Sequence, residues 1–337
     1  MAAKKHKKMK RTLVTLAILV VIYAILYIIT PSVSSYYQVS GEEKVIAGLE
    51  VPLLEEGETL IIHEGYSLVY DEQIESAKWV AYHLTKDELY GLFERKDNFR
   101  ADPLIKTGSA VLDDYRNSGY DRGHLVPAAD LSFSKQAMSD SFYLSNMSPQ
   151  EPSFNRGIWA DLEAVVRNFA DQNGHIYITT GPIFYNLDDT EYIGKSSVAI
   201  PDAYYKVILD YQEPELKAIA FILPNEGSSR PLESFATSVD EVESLVSVDF
   251  FPLVEDDIED NLEGSFNVAL WDFSPFRASR EDRLAYQESI EDDSSVVTEV
   301  PKQSFASLLL DIMMSTKKEI QTILGSFELS DIEGLFQ

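Results

Sequence analysis

The 337-residue chain contains no cysteine. A disulfide framework, a cysteine-based zinc site and thiol chemistry are therefore excluded, while the redox compartment stays open. Histidine is scarce too. Five residues, at positions 6, 63, 83, 124 and 175, leave little material for a multi-histidine metal centre. Positive charge is the third shortage, with 28 Lys and Arg against 56 Asp and Glu and a formal net charge of −28. A nucleic-acid binder is normally basic, so this imbalance counts against one. Hydrophobic residues make up 45% of the chain and aromatics 11%, which excludes a wholly disordered protein. There is no internal repeat.

The charge is unevenly spread. Lys4, Lys5, Lys7, Lys8, Lys10 and Arg11 crowd the start, and an uncharged apolar run of eighteen residues follows from Thr12 to Ile29. A membrane-spanning helix needs about 20 residues, and a basic flank stays cytoplasmic. A cleavable signal peptide is the competing reading. The run exceeds the usual apolar core of roughly 7–15 residues, and no Ala-x-Ala site follows Pro31. Residues 1–30 are therefore expected to be a transmembrane anchor that holds the rest outside the cytoplasm, periplasmic or extracellular; if the leader is cleaved, the protein is secreted. Residues 31–59 read as a stalk, 60–262 as the main domain, and 263–337 as an acidic extension. Within that extension 281–299 reads as flexible and Ser304–Phe327 as an amphipathic helix.

Alternating and β-branched runs predict strands at 60–63, 67–70, 77–84, 175–180, 204–209 and 218–223, with the fourth stopping at Gly181-Pro182. Two further strands are expected at 124–126 and, from the strand-forming Phe142, Tyr143 and Leu144, at 141–146. Ile158, Trp159, Leu162, Val165, Val166 and Phe169 keep helical spacing, which predicts a helix from about Asn155 to Gly174. Val239–Val246 is a further helix candidate. Strand, strand, helix is thus the layout of the stretch richest in reactive side chains.

From Arg95 to Arg167 nine basic residues meet ten acidic ones, so this stretch is nearly neutral within an acidic chain. Its inventory suits metal-assisted attack on a phosphodiester. His124 is its one histidine, and a pKa near neutrality suits a general base. Magnesium takes oxygen ligands and often only one or two protein groups, and Asn155 can supply one. On a regular helix Glu163 would lie eight residues on, about 12 Å along the axis, so it would not share the ion by simple contact. Arg122 shares a strand face with His124, and Gly123 between them permits close backbone approach. Arg167, one turn beyond Glu163, can pair with it, and guanidinium forks match phosphate oxygens. Each residue also has a bland reading. A lone strand histidine is usually structural, an Asn at a helix start is usually a cap, a Glu–Arg pair usually lies on the surface, and Asp121-Arg122 could be a turn salt bridge. Taken singly, each bland reading wins; their spacing together leaves the two accounts near balance.

Asp121-Arg122-Gly123-His124 resembles the signature of the DNA/RNA non-specific endonucleases of the ββα-metal fold, an endonuclease G-like family. The resemblance runs through Asn146-Met147-Ser148-Pro149-Gln150 and Asn155-Arg156-Gly157-Ile158-Trp159-Ala160-Asp161-Leu162-Glu163, and covers about residues 60–262. It implies an α+β fold, a central antiparallel sheet flanked by helices with a strand–strand–helix finger at the site. It implies that His124 is the general base and Asn155 the direct protein ligand to a metal, Mg²⁺ with Mn²⁺ as a substitute. Glu163 then matches the acid that binds metal-coordinated water, Arg122, Arg167 and Arg95 match phosphate-binding arginines, and Asn146 matches a supporting residue. DNA and RNA would be the substrates, cut to leave 5′-phosphates. The acidity and the tail after 265 depart from the family pattern. The alternative is a catalytically degenerate nuclease fold kept as a membrane-tethered binding module; a hydrolase of small phosphodiesters is a third reading.

Overall fold

Antiparallel returns between consecutive strands build both ends of the central sheet. In the computed structural model, which describes residues 45–292, strands β1 (Leu60–His63), β2 (Tyr66–Asp71) and β3 (Ser76–Thr85) run antiparallel in sequence order. After them come β4 (Asp121–His124), β5 (Met147–Gln150), β6 (His175–Ile183), β7 (Tyr192–Ile193), β8 (Val198–Ala199), β9 (Ala203–Asp210), β10 (Lys217–Pro224) and β11 (Ala236–Thr237). The main sheet has the order β1-β2-β3-β6-β9-β10-β11, with every pair antiparallel. This is the central antiparallel sheet expected, and six of its strands fall where alternation placed them. β6 continues through Gly181-Pro182 to Ile183 instead of stopping there. The Pro182 nitrogen has no hydrogen to give, but the register with Tyr204 is kept.

The helices are α1 (Lys86–Leu89), α2 (Leu112–Tyr115), α3 (Lys135–Asp140), α4 (Pro152–Asn155), α5 (Ile158–Asn173), α6 (Val239–Val246), α7 (Asp256–Glu263) and α8 (Arg280–Asp292). One face of the sheet is covered by α5, whose Trp159, Leu162, Val165, Val166 and Phe169 join Tyr82, Ile178, Ile208 and Phe221 in a single core. On β6 and β9 every residue is buried, so these central strands are covered on both faces. Leu49 and Val51 are buried, the Glu50 carbonyl accepts from the Thr179 hydroxyl at 2.7 Å, and Phe250 packs its ring on Tyr205. The packed unit therefore begins before residue 60, inside the segment read as a stalk.

The unit also continues past residue 262. Trp271 and Phe273 pack on Phe169, and the Phe276 amide donates to the Ala164 carbonyl at 2.8 Å. Of residues 281–299, expected to be flexible, 293–299 lie outside the described residues and 281–292 belong to α8. Its Arg283 donates to the Gly91 carbonyl at 3.0 Å, and Tyr286 stacks on Tyr90 at 3.9 Å. Polar composition misled there, because a few long side chains reach the domain from an otherwise solvated helix. The expected membrane span and the helix at Ser304–Phe327 lie outside the described residues. Among the described residues no helix is long and apolar enough to cross a membrane.

Candidate active site

Neither short strand of the finger lies where it was expected: the first, expected at 124–126, is β4 and shares only His124 with that range, and the second, expected at 141–146, begins only at Met147. Phe142 lies in a buried turn, Tyr143 is half-buried and bridges Arg100, Leu144 opens a helical turn, and the strand paired with β4 is β5, with Asp121 opposite Gln150 and His124 opposite Met147. The Phe142 ring is in demand as packing beneath the site, which overrides its strand preference. Gly123 does serve a close approach, since a Cβ there would collide with the Gln150 side chain. The finger is joined to the main sheet by the Tyr204 hydroxyl, 2.8 Å from Ser148 Oγ and 2.9 Å from the Pro149 carbonyl.

The helical part is also divided. Glu151 caps the first turn by accepting from the amides of Ser153 and Phe154, and Pro152 takes the first helical position. α4 then ends at Asn155, and α5 starts only at Ile158. Gly157 makes the break, with ψ near −114°, outside the α region, and a Cβ there would strike the Ser153 carbonyl. Asn155 is thus the last residue of a short helix and not the cap of a long one. The separation expected for one regular helix does not apply to Asn155 and Glu163.

Asn155 is held from one side. Its Nδ2 donates to Asp121 Oδ2 at 2.9 Å, and Asp121 is in turn gripped by Arg156 at 2.6 and 2.8 Å. Burial pushes the Asp121 carboxyl upward, but these hydrogen bonds win and hold it below the usual carboxylate range. With the nitrogen committed, Oδ1 is the atom Asn155 can offer a ligand. Asp121 is a residue the motif contained but sequence reasoning left as a turn pair with Arg122; its partner is Arg156. Replacing it with Ala frees the amide to rotate. The expected cost is about 10–100-fold in activity or metal affinity, measured as the metal dependence of cleavage.

His124 is 8% exposed. Its ring meets Phe142 edge-on at 5.2 Å and Phe99 at 5.9 Å, its carbonyl accepts from Trp159 Nε1 at 3.4 Å, and its Nε2 has no hydrogen-bond partner. Burial, and then the guanidinium groups of Arg95 and Arg122, push its pKa down to about 3. A pKa near neutrality, expected from composition, is therefore not what the free site provides; the imidazole is neutral, with an unused nitrogen.

Arg122 lies on the face of Phe99 with its guanidinium carbon 4.2 Å from the ring centre, and Arg95 lies 5.0 Å from that of Phe142. Both line an open cavity of about 520 Å³, together with Asp97, Phe99, Leu112, Asp121 and Asn155. His124 and Glu163 are not among its lining residues, and both feel the charge of Arg95. Glu163 is half-buried on α5, where burial raises its pKa against the opposing charges of Arg167, Lys206 and Arg95.

Arg167 is placed differently from the other two arginines. Its guanidinium is paired with Asp130 at 2.9 Å, its side chain is 14% exposed, and it is absent from the cavity wall. Asp130 also accepts from Tyr82 at 3.0 Å. Lys206 is fully buried behind Glu163, with its ammonium 5.0 Å from the Trp159 ring and no hydrogen-bond partner for Nζ. Sequence reasoning missed Asp130 and Lys206 as parts of the site. Their partners lie 37 and 43 positions away, beyond the reach of local spacing.

Asn146 has a structural task. Its Oδ1 accepts from the Val126 amide at 2.9 Å, its Nδ2 donates to the carbonyls of Val126 at 3.0 Å and Ser141 at 2.8 Å, and its own carbonyl accepts from Leu125 at 3.0 Å. These bonds fix the two residues after His124. Asn146→Ala strands three buried backbone groups, and each unsatisfied group costs about 1–3 kcal/mol. The expected result is a clear fall in the urea midpoint.

The fold and site together define a nuclease with a ββα finger set against an antiparallel sheet. The sequence model for DNA/RNA non-specific endonucleases matches residues 49–257, so the chain belongs to that family and is an endonuclease. It is 34% identical over 252 residues to the mitochondrial nuclease EXOG of Danio rerio, covering 70% of this chain and 73% of that one. It is 35% identical to the mitochondrial endonuclease G of Homo sapiens over 56% of this chain and 68% of the relative, and 37% identical to nuclease C1 of Cunninghamella echinulata var. echinulata over 56% and 81%. A solved structure of the EndoG/EndoGI complex superposes with a TM-score of 0.57 at 31% identity, covering 62% of this chain and 91% of that one.

Proposed function

We propose that this endonuclease is Mg²⁺-dependent and sugar-non-specific, cleaving DNA and RNA to 5′-phosphate products with His124 as general base. The observation that carries the reading is the pairing of Asn155 Oδ1, freed by the Nδ2–Asp121 bond, with the unpartnered Nε2 of His124, beside a cavity walled by Arg95 and Arg122. An amide oxygen backed by a carboxylate is a donor set a hard cation accepts, so Asn155 would hold magnesium directly and Glu163 through a coordinated water. Bound there, it would supply Lewis-acid stabilisation of charge on the phosphoryl and leaving oxygens.

The chain's own residues account for the rest. A phosphodiester entering the cavity meets the exposed guanidinium of Arg122, oriented by Phe99, and that of Arg95. Burial is the main cause of the depressed His124 pKa, and the substrate's negative charge offsets the smaller contribution of Arg95 and Arg122, so the imidazole becomes a better base as substrate arrives. Nε2 then takes the proton of the attacking water. Phosphate contacts of this kind read no base sequence, which fits cleavage without sequence preference.

The location outside the cytoplasm is carried by the leader sequence alone and is part of the proposal. The full chain should degrade plasmid DNA and structured RNA with Mg²⁺, stop on addition of EDTA, and leave ends that accept a 5′-label only after phosphatase treatment. Absence of cleavage with both Mg²⁺ and Mn²⁺ would contradict the reading.

A further inference from the structure

α6 packs against β9 and β10 and α7 against β10, and the two helices carry a concentration of acid that the nuclease reading does not use. Asp240 and Glu243 lie one turn apart on α6, and Glu263 is the last residue of α7. One carboxylate oxygen from each of the three lies within 4.8 Å of the others. Glu259, one turn before Glu263, and Asp249 in the connecting loop add to the same negative field. Among the described residues none of these five carboxylates is paired with a lysine or arginine. Like charges at this spacing on a helix and across two helices oppose the packing they sit in.

The second observation concerns Glu263 itself. It is only 6% exposed, and its Oε1 is buried with no hydrogen-bond partner. A buried, unpaired carboxylate oxygen is costly unless something positive meets it. Glu259 Oε1 is in the same condition. By contrast Glu243 already spends one oxygen on the Phe250 amide at 2.7 Å, which orients the remaining one. Asp240 is exposed, so the cluster keeps an open side through which an ion can enter.

We propose that Asp240, Glu243 and Glu263 form a second cation site, specific for calcium, that clamps α6 to α7. The site is independent of the catalytic reading. Oxygens no farther apart than 4.8 Å fit around one ion with ligand distances of about 2.3–2.6 Å. Several carboxylates on a flexible helix pair suit calcium, which takes 6–8 oxygens in irregular geometry, whereas magnesium keeps most of its waters. The ion would neutralise the acids that face one another and lock the loop that places Phe250 and Phe251 against the sheet.

The test uses calcium chloride and the full chain carrying Asn155→Ala, which removes the catalytic metal ligand. Calorimetry should show one calcium bound per chain, and a hundredfold excess over Kd should raise Tm by about 5 °C or more. Adding Glu263→Gln or Asp240→Asn should weaken binding at least tenfold and abolish the rise in Tm, while either change in the otherwise native chain leaves Mg²⁺-driven cleavage unchanged. Asp240 is exposed, so its variant decides the matter should Glu263→Gln fail to fold. Absence of calcium binding, or weak binding at several sites that both variants retain, would overturn the proposal in favour of diffuse attraction to an acidic surface.

Discussion

His124→Ala is expected to lower the rate of plasmid cleavage by about 10²–10⁴-fold, the usual contribution of a general base. The loss should come without collapse of the fold. The His124 side chain makes ring contacts with Phe99 and Phe142 and its Nε2 bonds to no group, so its removal strands no partner of that nitrogen. The pH dependence adds a second readout. With the free imidazole depressed to about 3, the base form persists through the acid range, and the acid limb of kcat/KM should fall below the ordinary histidine value near 6.5. Stability follows the same sign. The unfolded chain takes up a proton near pH 6.5 and the folded chain refuses it until about 3, so His124 makes the fold progressively less stable as pH drops through that window. Full activity in His124→Ala, measured on a variant with an unchanged far-ultraviolet spectrum, would sink the assignment.

Asn155→Ala is expected to be at least as damaging at low metal. Loss of a group that only orients a ligand costs about 10–100-fold, so loss of the ligand itself should raise the half-saturating Mg²⁺ concentration by no less. The effect on stability should be small. Asn155 is half-buried, its one side-chain bond goes to Asp121, and Arg156 continues to hold that carboxylate. A titration of initial rate against Mg²⁺ separates the two variants: Asn155→Ala should be partly rescued by excess metal, and His124→Ala should not. An unshifted metal dependence in Asn155→Ala would move the ion elsewhere.

These expectations rest on a site that the sequence revealed in outline. Local pattern carried the strands of the main sheet, because alternation reports a half-buried surface wherever the register is set by burial. It also placed α6 to the residue. It failed at the finger, where Phe142 and its neighbours have strand propensity but are used as packing under Arg95 and His124. It failed again at Gly157. Helical periodicity from Ile158 to Phe169 is real, but nothing in that period announces that α4 is a separate helix ending at Asn155.

The electrostatic half of the site was the least legible. Arg122 was read from the strand face it shares with His124 as well as from the family resemblance, Arg95 from the resemblance alone, and both line the cavity. Arg167 was read from its spacing to Glu163 and from the resemblance, and its guanidinium is paired with Asp130, a residue with no helical or strand relation to it. Lys206 sits in mid-strand between Tyr205 and Val207 on a fully buried strand, so its charge reads as an anomaly until Glu163 and Trp159 are seen beside it. Pairings of this kind depend on which elements meet, which the β3–β6–β9 order decides and local spacing does not.

The most direct test is an anomalous-difference map from crystals of the full chain soaked in Mn²⁺, which stands in for magnesium. The account predicts a peak about 2.1 Å from Asn155 Oδ1, the distance of a magnesium-like ion from an oxygen ligand, with the His124 ring turned toward the same cavity. A map with no peak at that amide, or with the imidazole facing the interior, would contradict it.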